Sequence, residues 1–207
     1  MKLAIAALAA AALAAPAHAD TLTEEASGHV FTAPAGPDGR PLMCLGTGLR
    51  KKFFIKVYAA VFCVDRAAGT AAVKKYAAAH PGADLAEDSG FFLALRDLAA
   101  PKTIRMYFLR EVDKGKIKEA YSETLHNAGL PQAKIDAFTA LVDRDIREHA
   151  EIVLATTPGG LTLTLDGVEK KFDDAEVAHL IWDAWLGPKG VSDSLKESIG
   201  RGAGAIK

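Results

Sequence analysis

Phe53-Phe54-Ile55-Lys56-Val57-Tyr58-Ala59-Ala60-Val61-Phe62-Cys63-Val64, residues 53–64, is the stretch that decides the fold class. Side chains alternate across a strand, so Phe53, Ile55, Val57, Ala59, Val61 and Cys63 share one face, and Phe54, Lys56, Tyr58, Ala60, Phe62 and Val64 the other. The first face is wholly apolar. The second is apolar apart from the ammonium of Lys56 and the phenol of Tyr58. A strand with one face in water alternates apolar with polar residues, whereas a strand covered on both sides does not. Residues 53–64 therefore read as a central strand, with a covered cleft over Lys56 and Tyr58.

The neighbouring segments extend the sheet. Lys102 to Arg110 sets Ile104, Met106 and Phe108 against Thr103, Arg105, Tyr107 and Leu109, which again puts a cation and a phenol on one face. Leu161-Thr162-Leu163-Thr164-Leu165 alternates cleanly, and Asp166-Gly167 before Val168 is a strong hairpin signal. Pro34, Gly36, Pro37, Asp38, Gly39 and Pro41 mark a loop behind a first strand at about His29 to Thr32.

Helices are expected where the period changes. Ile117, Ala120, Tyr121, Thr124, Leu125 and Ala128 follow helical spacing, with Asp113 as N-cap and Gly129-Leu130-Pro131 as the stop. A second stretch runs from Gln132 to His149 with Ile135, Phe138, Leu141, Val142 and Ile146 inward. A third is capped by Asp173, with Glu176 completing a capping box and Phe172 stapling onto Val177, and ends at Gly187-Pro188. Ser192 starts a last helix to about Ile199. Strands lie first and last around a helical block, so the class is α+β with an antiparallel sheet.

Lys2, the apolar run from Leu3 to Ala15, and Ala17-His18-Ala19 before Asp20 have the order of a secretory signal peptide, too short to span a ~30 Å hydrocarbon core. The expected organisation is a signal peptide at 1–19, cleaved after Ala19, and a single domain at 20–207. No later run is long enough to span a membrane, so the mature chain is expected in the periplasm or outside the cell. With 25 Lys plus Arg against 26 Asp plus Glu, there is no global basic field to argue for nucleic acid.

Export would permit a disulfide, and Cys44 and Cys63 are the only cysteines. Equal arms about a turn near Arg50-Lys51-Lys52 place Cys44 opposite Tyr58 and leave Cys63 too far along, so two buried thiols are favoured over a bridge. Gly46-Thr47-Gly48-Leu49-Arg50 lacks the third glycine and the Lys-Ser/Thr pair of a phosphate loop and leads into a strand. Glycines on one parity of a strand instead mark close backbone approach or a bulge. Asp143, Asp145, Glu148, His149 and Glu151 read as a solvated helical face paired with Arg144 and Arg147. The histidines have no zinc spacing, and no nucleophile motif occurs. No cofactor or metal is implied. A cation beside a phenol, as in Lys56/Tyr58 and Arg105/Tyr107, suits a carboxylate or phenolate, although such residues also snorkel and pack.

The stretch GTGLRKKFFIKVYAAVFCVD from Gly46 to Asp65, the segment YFLREVDKGKIKEAYSETL, and the ending Trp185-Leu186-Gly187-Pro188 with Val191-Ser192-Asp193-Ser194-Leu195-Lys196 resemble the chalcone isomerase-like family of exported bacterial proteins. The resemblance implies an open-faced β-sandwich, a large antiparallel sheet with a layer of helices on one side and a ligand cleft between them. It also implies where chemistry would sit. Plant chalcone isomerases carry a catalytic threonine where this chain has Tyr58, a catalytic tyrosine where it has Ile117, and a pocket asparagine where it has Thr124. Their arginine falls near Gly46, so Arg50 matches only if the turn differs in length. Plastid relatives of this fold that bind fatty acids keep an arginine and put a tyrosine at the threonine position, as Tyr58 does.

The expectation is a non-catalytic binding protein for a fatty acid or similar amphipathic carboxylate, with Arg50 on the head group and Tyr58 donating its hydroxyl. Lys56, Arg105, Tyr107 and Thr124 complete the candidate ligand-binding set, and no catalytic residue is assigned. The alternatives are an isomerase acting on a phenolic or enone substrate, and a structural or partner-binding envelope protein with a filled core.

Overall fold

The computed structural model describes residues 21–206, apart from 35 and 38, so the expected signal peptide at 1–19 lies outside the described residues. Six strands run in sequence order across one antiparallel sheet: β3 (Leu42–Lys52), β4 (Ile55–Asp65), β5 (Lys102–Phe108), β6 (Glu151–Thr157), β7 (Gly160–Leu165) and β8 (Val168–Phe172). A separate hairpin of β1 (Thr21–Glu24) and β2 (His29–Thr32) pairs with itself. The helices are α1 (Arg66–Ala79), α2 (Ser89–Asp97), α3 (Lys114–Asn127), α4 (Gln132–Thr139), α5 (Ala175–Leu180) and α6 (Asp193–Gly204), with a 3-10 turn at Ile181–Ala184.

The alternation along β4 generates two cores. Ala60, Phe62 and Val64 join Ile104, Met106, Phe108 and the inward leucines of β7 beneath the helices. Ala59, Val61 and Cys63 point the other way, onto Phe31 of the β1–β2 hairpin with Leu42 and Leu49. From Ala59 to Val64 exposure is 1% or less, so both faces of β4 are covered, as the uninterrupted apolar run requires. The fold is the open-faced β-sandwich expected, with the helices gathered on one face.

The β3–β4 hairpin corrects the sequence reading. Lys52 pairs with Ile55, which makes Phe53-Phe54 a two-residue loop and not the start of the strand. With the turn later than expected and irregular steps at Cys44/Gly46 and at Arg50/Lys51, Cys44 faces Cys63. The two are joined in a disulfide with their Cα atoms 3.8 Å apart. The turn was hidden because its residues are aromatic, with none of the Gly, Asn or Asp that mark such loops. Where those residues do occur the signal was reliable: Asp166 and Gly167 take φ of 51° and 80° between β7 and β8.

The second expected helix is also shorter. α4 stops at Thr139, whose hydroxyl donates back to the Ile135 carbonyl. Val142 and Ile146 are buried as their spacing suggested, but from irregular chain: Ile146 forms a bridge with Val112. The acidic run is consequently not a helical face. Asp143 pairs with Lys170, Asp145 accepts from the Lys114 amide at the start of α3, and Glu151 opens β6. The third helix begins one residue late: Asp174, not Asp173, accepts from the amides of Glu176 and Val177. It runs through α5 into the 3-10 turn.

α6 lies against β3, the edge of the sheet. The Leu49 and Thr47 amides donate to Ser194 Oγ (3.0 Å) and Ser198 Oγ (3.1 Å), and Ser192 Oγ donates to the Leu49 carbonyl (3.0 Å). These side chains occupy edge groups that would otherwise be free to pair with another strand. Gly46 and Gly48 permit the approach, as the close-contact reading of this segment anticipated.

Candidate ligand-binding site

Arg50 on β3 and Tyr58 on β4 are cross-strand partners, so their side chains emerge together on the helix-covered face. Above them α3 forms one wall and the segment from Ala184 to Val191 the other. The space between has two parts. A deep apolar chamber of about 60 Å³ is lined by Tyr58, Met106, Phe108, Ile117, Tyr121 and Trp185, among others. An outer cavity of about 470 Å³ is lined by Arg50, Glu123, Asn127, Asp183, Lys189 and Val191, among others. Ala120, Thr124 and Val191 border both.

The floor is ordered by hydrogen bonds that leave donors available. Trp185 Nε1 donates to Tyr58 Oη at 3.1 Å, so the phenolic proton of Tyr58 remains free to be given to a ligand. Arg50 Nη1 donates to the Val191 carbonyl at 2.6 Å, which ties the hairpin to the far wall and leaves most of the guanidinium donors uncommitted. Tyr121 packs edge-on to Trp185 and Phe138 beside the chamber. Thr124 donates to the Ala120 carbonyl in its own helix and contributes an oxygen to the rim.

Burial pushes the Tyr58 phenol up to about 12, with the Trp185 hydrogen bond and the Arg50 charge opposing. Tyr121 is likewise raised by burial and then by its proximity to Tyr58. Both phenols are neutral donors at physiological pH, suited to an anionic head group and unsuited to act as a base. The sign for stability follows directly. Unfolded tyrosine ionises near 10, so between pH 10 and about 12 the folded chain holds protons that the unfolded chain has released. Stability is expected to be intact below pH 10 and lost as pH climbs to about 12, with a share of the phenolate absorbance appearing only in that window. Full phenolate absorbance near pH 10 in a still-folded protein would show Tyr58 to be solvated.

The other expected residues lie elsewhere. The step in register between Arg50 and Lys51 leaves Val57 unmatched on β4, so Lys56 loses the face it would have shared with Tyr58. Its ammonium instead donates to the Ala26 carbonyl in the β1–β2 turn. Arg105 and Tyr107 point to the same side as that hairpin. Arg105 donates to the Thr32 carbonyl and pairs with Glu151 at 2.7 Å, and Tyr107 stacks on His29 with ring centroids 3.8 Å apart. Arg50, Tyr58 and Thr124 thus meet in the cleft, while Lys56, Arg105 and Tyr107 fasten the hairpin to the opposite face.

From sequence, Tyr121 stands only as a position in the helical spacing, and Trp185 in the closing segment that carries the family resemblance. The sequence did hold a signal for Tyr121, which shares one stripe of α3 with Ile117 and Thr124. Among the described residues, Arg50 is half-buried, whereas Lys102 is a fully buried cation. Its ammonium donates to the Leu95 and Leu98 carbonyls at the end of α2, and burial pushes it down to about 8. It serves the helix end and not the cleft.

A helix-covered antiparallel sheet, with an apolar chamber beneath a mouth lined by Arg50, Lys189, Glu123 and Asp183, defines an open-faced sandwich. The chain belongs to the chalcone isomerase-like family, whose model matches residues 23–199. Among solved structures it is similar to the crystal structure of a fatty-acid binding protein of Arabidopsis thaliana, at 22% identity and a TM-score of 0.68, over 90% of this chain and 99% of that one. At that identity the likeness establishes the fold. No curated protein sequence matches the chain significantly.

Proposed function

We propose that this protein binds a fatty acid or a similar amphipathic carboxylate without transforming it. The observation that carries the reading is Arg50 at the mouth of a chamber floored by the neutral phenols of Tyr58 and Tyr121. A carboxylate held by a guanidinium makes charge-assisted hydrogen bonds, and each buried methylene adds about 0.8 kcal/mol. The fatty-acid binding of the Arabidopsis protein of this fold supports the same reading. So do the chemical positions: Tyr58 and Ile117 stand where the enzymes of the family carry threonine and tyrosine. The chamber of about 60 Å³ holds only a short stretch of chain, so a long tail enters by parting α3 from the Ala184 to Val191 wall. We place the protein in the periplasm after cleavage behind Ala19. The Cys44–Cys63 disulfide supports an oxidising compartment.

Mass spectrometry of lipids extracted from the purified protein is expected to find a carboxylate ligand. In titrations with a fatty acid series, Arg50→Ala should weaken binding by about tenfold or more, since hydrogen bonds to charged groups contribute roughly 1.5–3 kcal/mol. Tyr58→Phe should weaken it less. An empty protein with no fatty acid affinity would favour the structural reading. Stereoselective cyclisation of a chalcone above the spontaneous rate would favour the isomerase.

A further inference from the structure

The tip of the β3–β4 hairpin carries two phenylalanines that the fold does not use. Phe53 and Phe54 are 87% and 89% exposed, and the neighbouring Ile55 is 39% exposed. Soluble chains rarely present adjacent aromatic rings this way unless a surface receives them. The backbone makes the choice more pointed. Phe53 has φ of 57°, in the left-handed region that a bulky side chain rarely adopts and where a two-residue hairpin loop ordinarily places glycine. Strain of this kind persists where it serves a function.

The surroundings specify the partner. Arg50, Lys51, Lys52 and Lys56 flank the rings, and no acidic residue occurs from Gly39 to Val64. Among the described residues, Lys51 and Lys52 make no ion pair. The nearest element, the β1–β2 turn, brings Glu24 and Glu25. The Glu24 carboxylate is turned inward onto the amides of Ala26 and Ser27, and Glu25 is exposed.

From this geometry we propose that the hairpin tip docks the protein on an anionic lipid bilayer, with Phe53 and Phe54 in the interfacial layer and Lys51 and Lys52 against the head groups. Aromatic rings with a basic rim are the composition of interfacial anchors. A second copy of the chain fits poorly. Two such tips would bring lysines against lysines, and two rings of roughly 150–250 Å² each supply far less area than a stable dimer buries. Three residues of extended chain, roughly 10 Å, separate Phe53 from Arg50, so docking brings the mouth of the cleft close to the membrane plane. The docking itself does not depend on what the cleft binds.

The test is sedimentation of the chain purified from the periplasm with vesicles of phosphatidylcholine alone or of equimolar phosphatidylcholine and phosphatidylglycerol. The wild type should associate with the anionic vesicles and be released by salt. Phe53→Gly with Phe54→Ser gives the loop the residues its backbone prefers, so the melting midpoint should hold or rise while vesicle binding falls by about tenfold or more. Phe54→Ser alone, at the unstrained position, should weaken binding in the same direction. Lys51→Gln with Lys52→Gln should abolish the preference for phosphatidylglycerol, at about fivefold per lysine. Variants that sediment like the wild type, a wild type that ignores both vesicles, or a tip-dependent dimer in sedimentation velocity without vesicle binding would each overturn the proposal.

Discussion

Gly48→Val is expected to destabilise the protein by about 3 kcal/mol or more, among the larger effects a single side chain can have. A Cβ at position 48 would lie 2.4 Å from both the Cα and the amide nitrogen of Leu195. Those are backbone atoms of α6, so no rotamer change relieves the overlap and the helix itself must move. Moving it breaks the serine contacts that close the β3 edge and shifts Val191, the residue that Arg50 grips. Urea denaturation should show a lowered midpoint, and fatty acid affinity should fall with it. Gly159→Ala, where an added Cβ meets nothing within 4 Å, should stay within about 0.5 kcal/mol of wild type. A Gly48→Val midpoint equal to wild type would mean that α6 does not rest on the edge strand.

Trp185→Ala should lower stability by about 3–5 kcal/mol and change the cleft at the same time. The indole is 1% exposed, packs against Tyr121 and Trp182, and supplies the donor to Tyr58. Its removal leaves a void continuous with the apolar chamber, which therefore grows. A fatty acid that fills that void recovers part of the loss, because a ligand that binds only the folded state raises stability by mass action. The expected signature is a lower melting midpoint without ligand and a larger ligand-induced rise than in wild type. A variant that melts like wild type, or one that gains no more from ligand, would place the indole outside both the core and the site.

Much of the fold is legible along the chain because the elements that can be read from it carry local signals of their own. The unbroken apolar run through β4 demands cover on two faces and receives it from the helices and from the β1–β2 hairpin. Asp166-Gly167 marks its turn, Asp113 and Ser192 mark their helix starts, and the resemblance to the chalcone isomerase-like family supplies the layered architecture. α1 escaped notice for the converse reason. Its alanine-rich sequence buries only Gly69 and Val73, so no apolar stripe announces it.

Within the site, the strand pattern pairs a cation with a phenol at Lys56/Tyr58 and at Arg105/Tyr107, while Arg50 enters only through the resemblance to the family. Tertiary structure decided which cations and phenols meet. The hairpin turns at Phe53-Phe54, two residues that read as strand because their side chains are apolar, and a single unmatched residue at Val57 then reverses the parity of everything between it and the turn. A slip of one residue exchanges the two faces of a strand. Lys56 is thereby sent to the β1–β2 hairpin and Arg50 is left beside Tyr58, and a second unmatched residue, Leu45 on β3, brings Cys44 back onto Cys63. Alternation fixes which residues share a side, but the register that joins two strands is set by the turn and by the packing of distant elements, α6 above all, onto the edge.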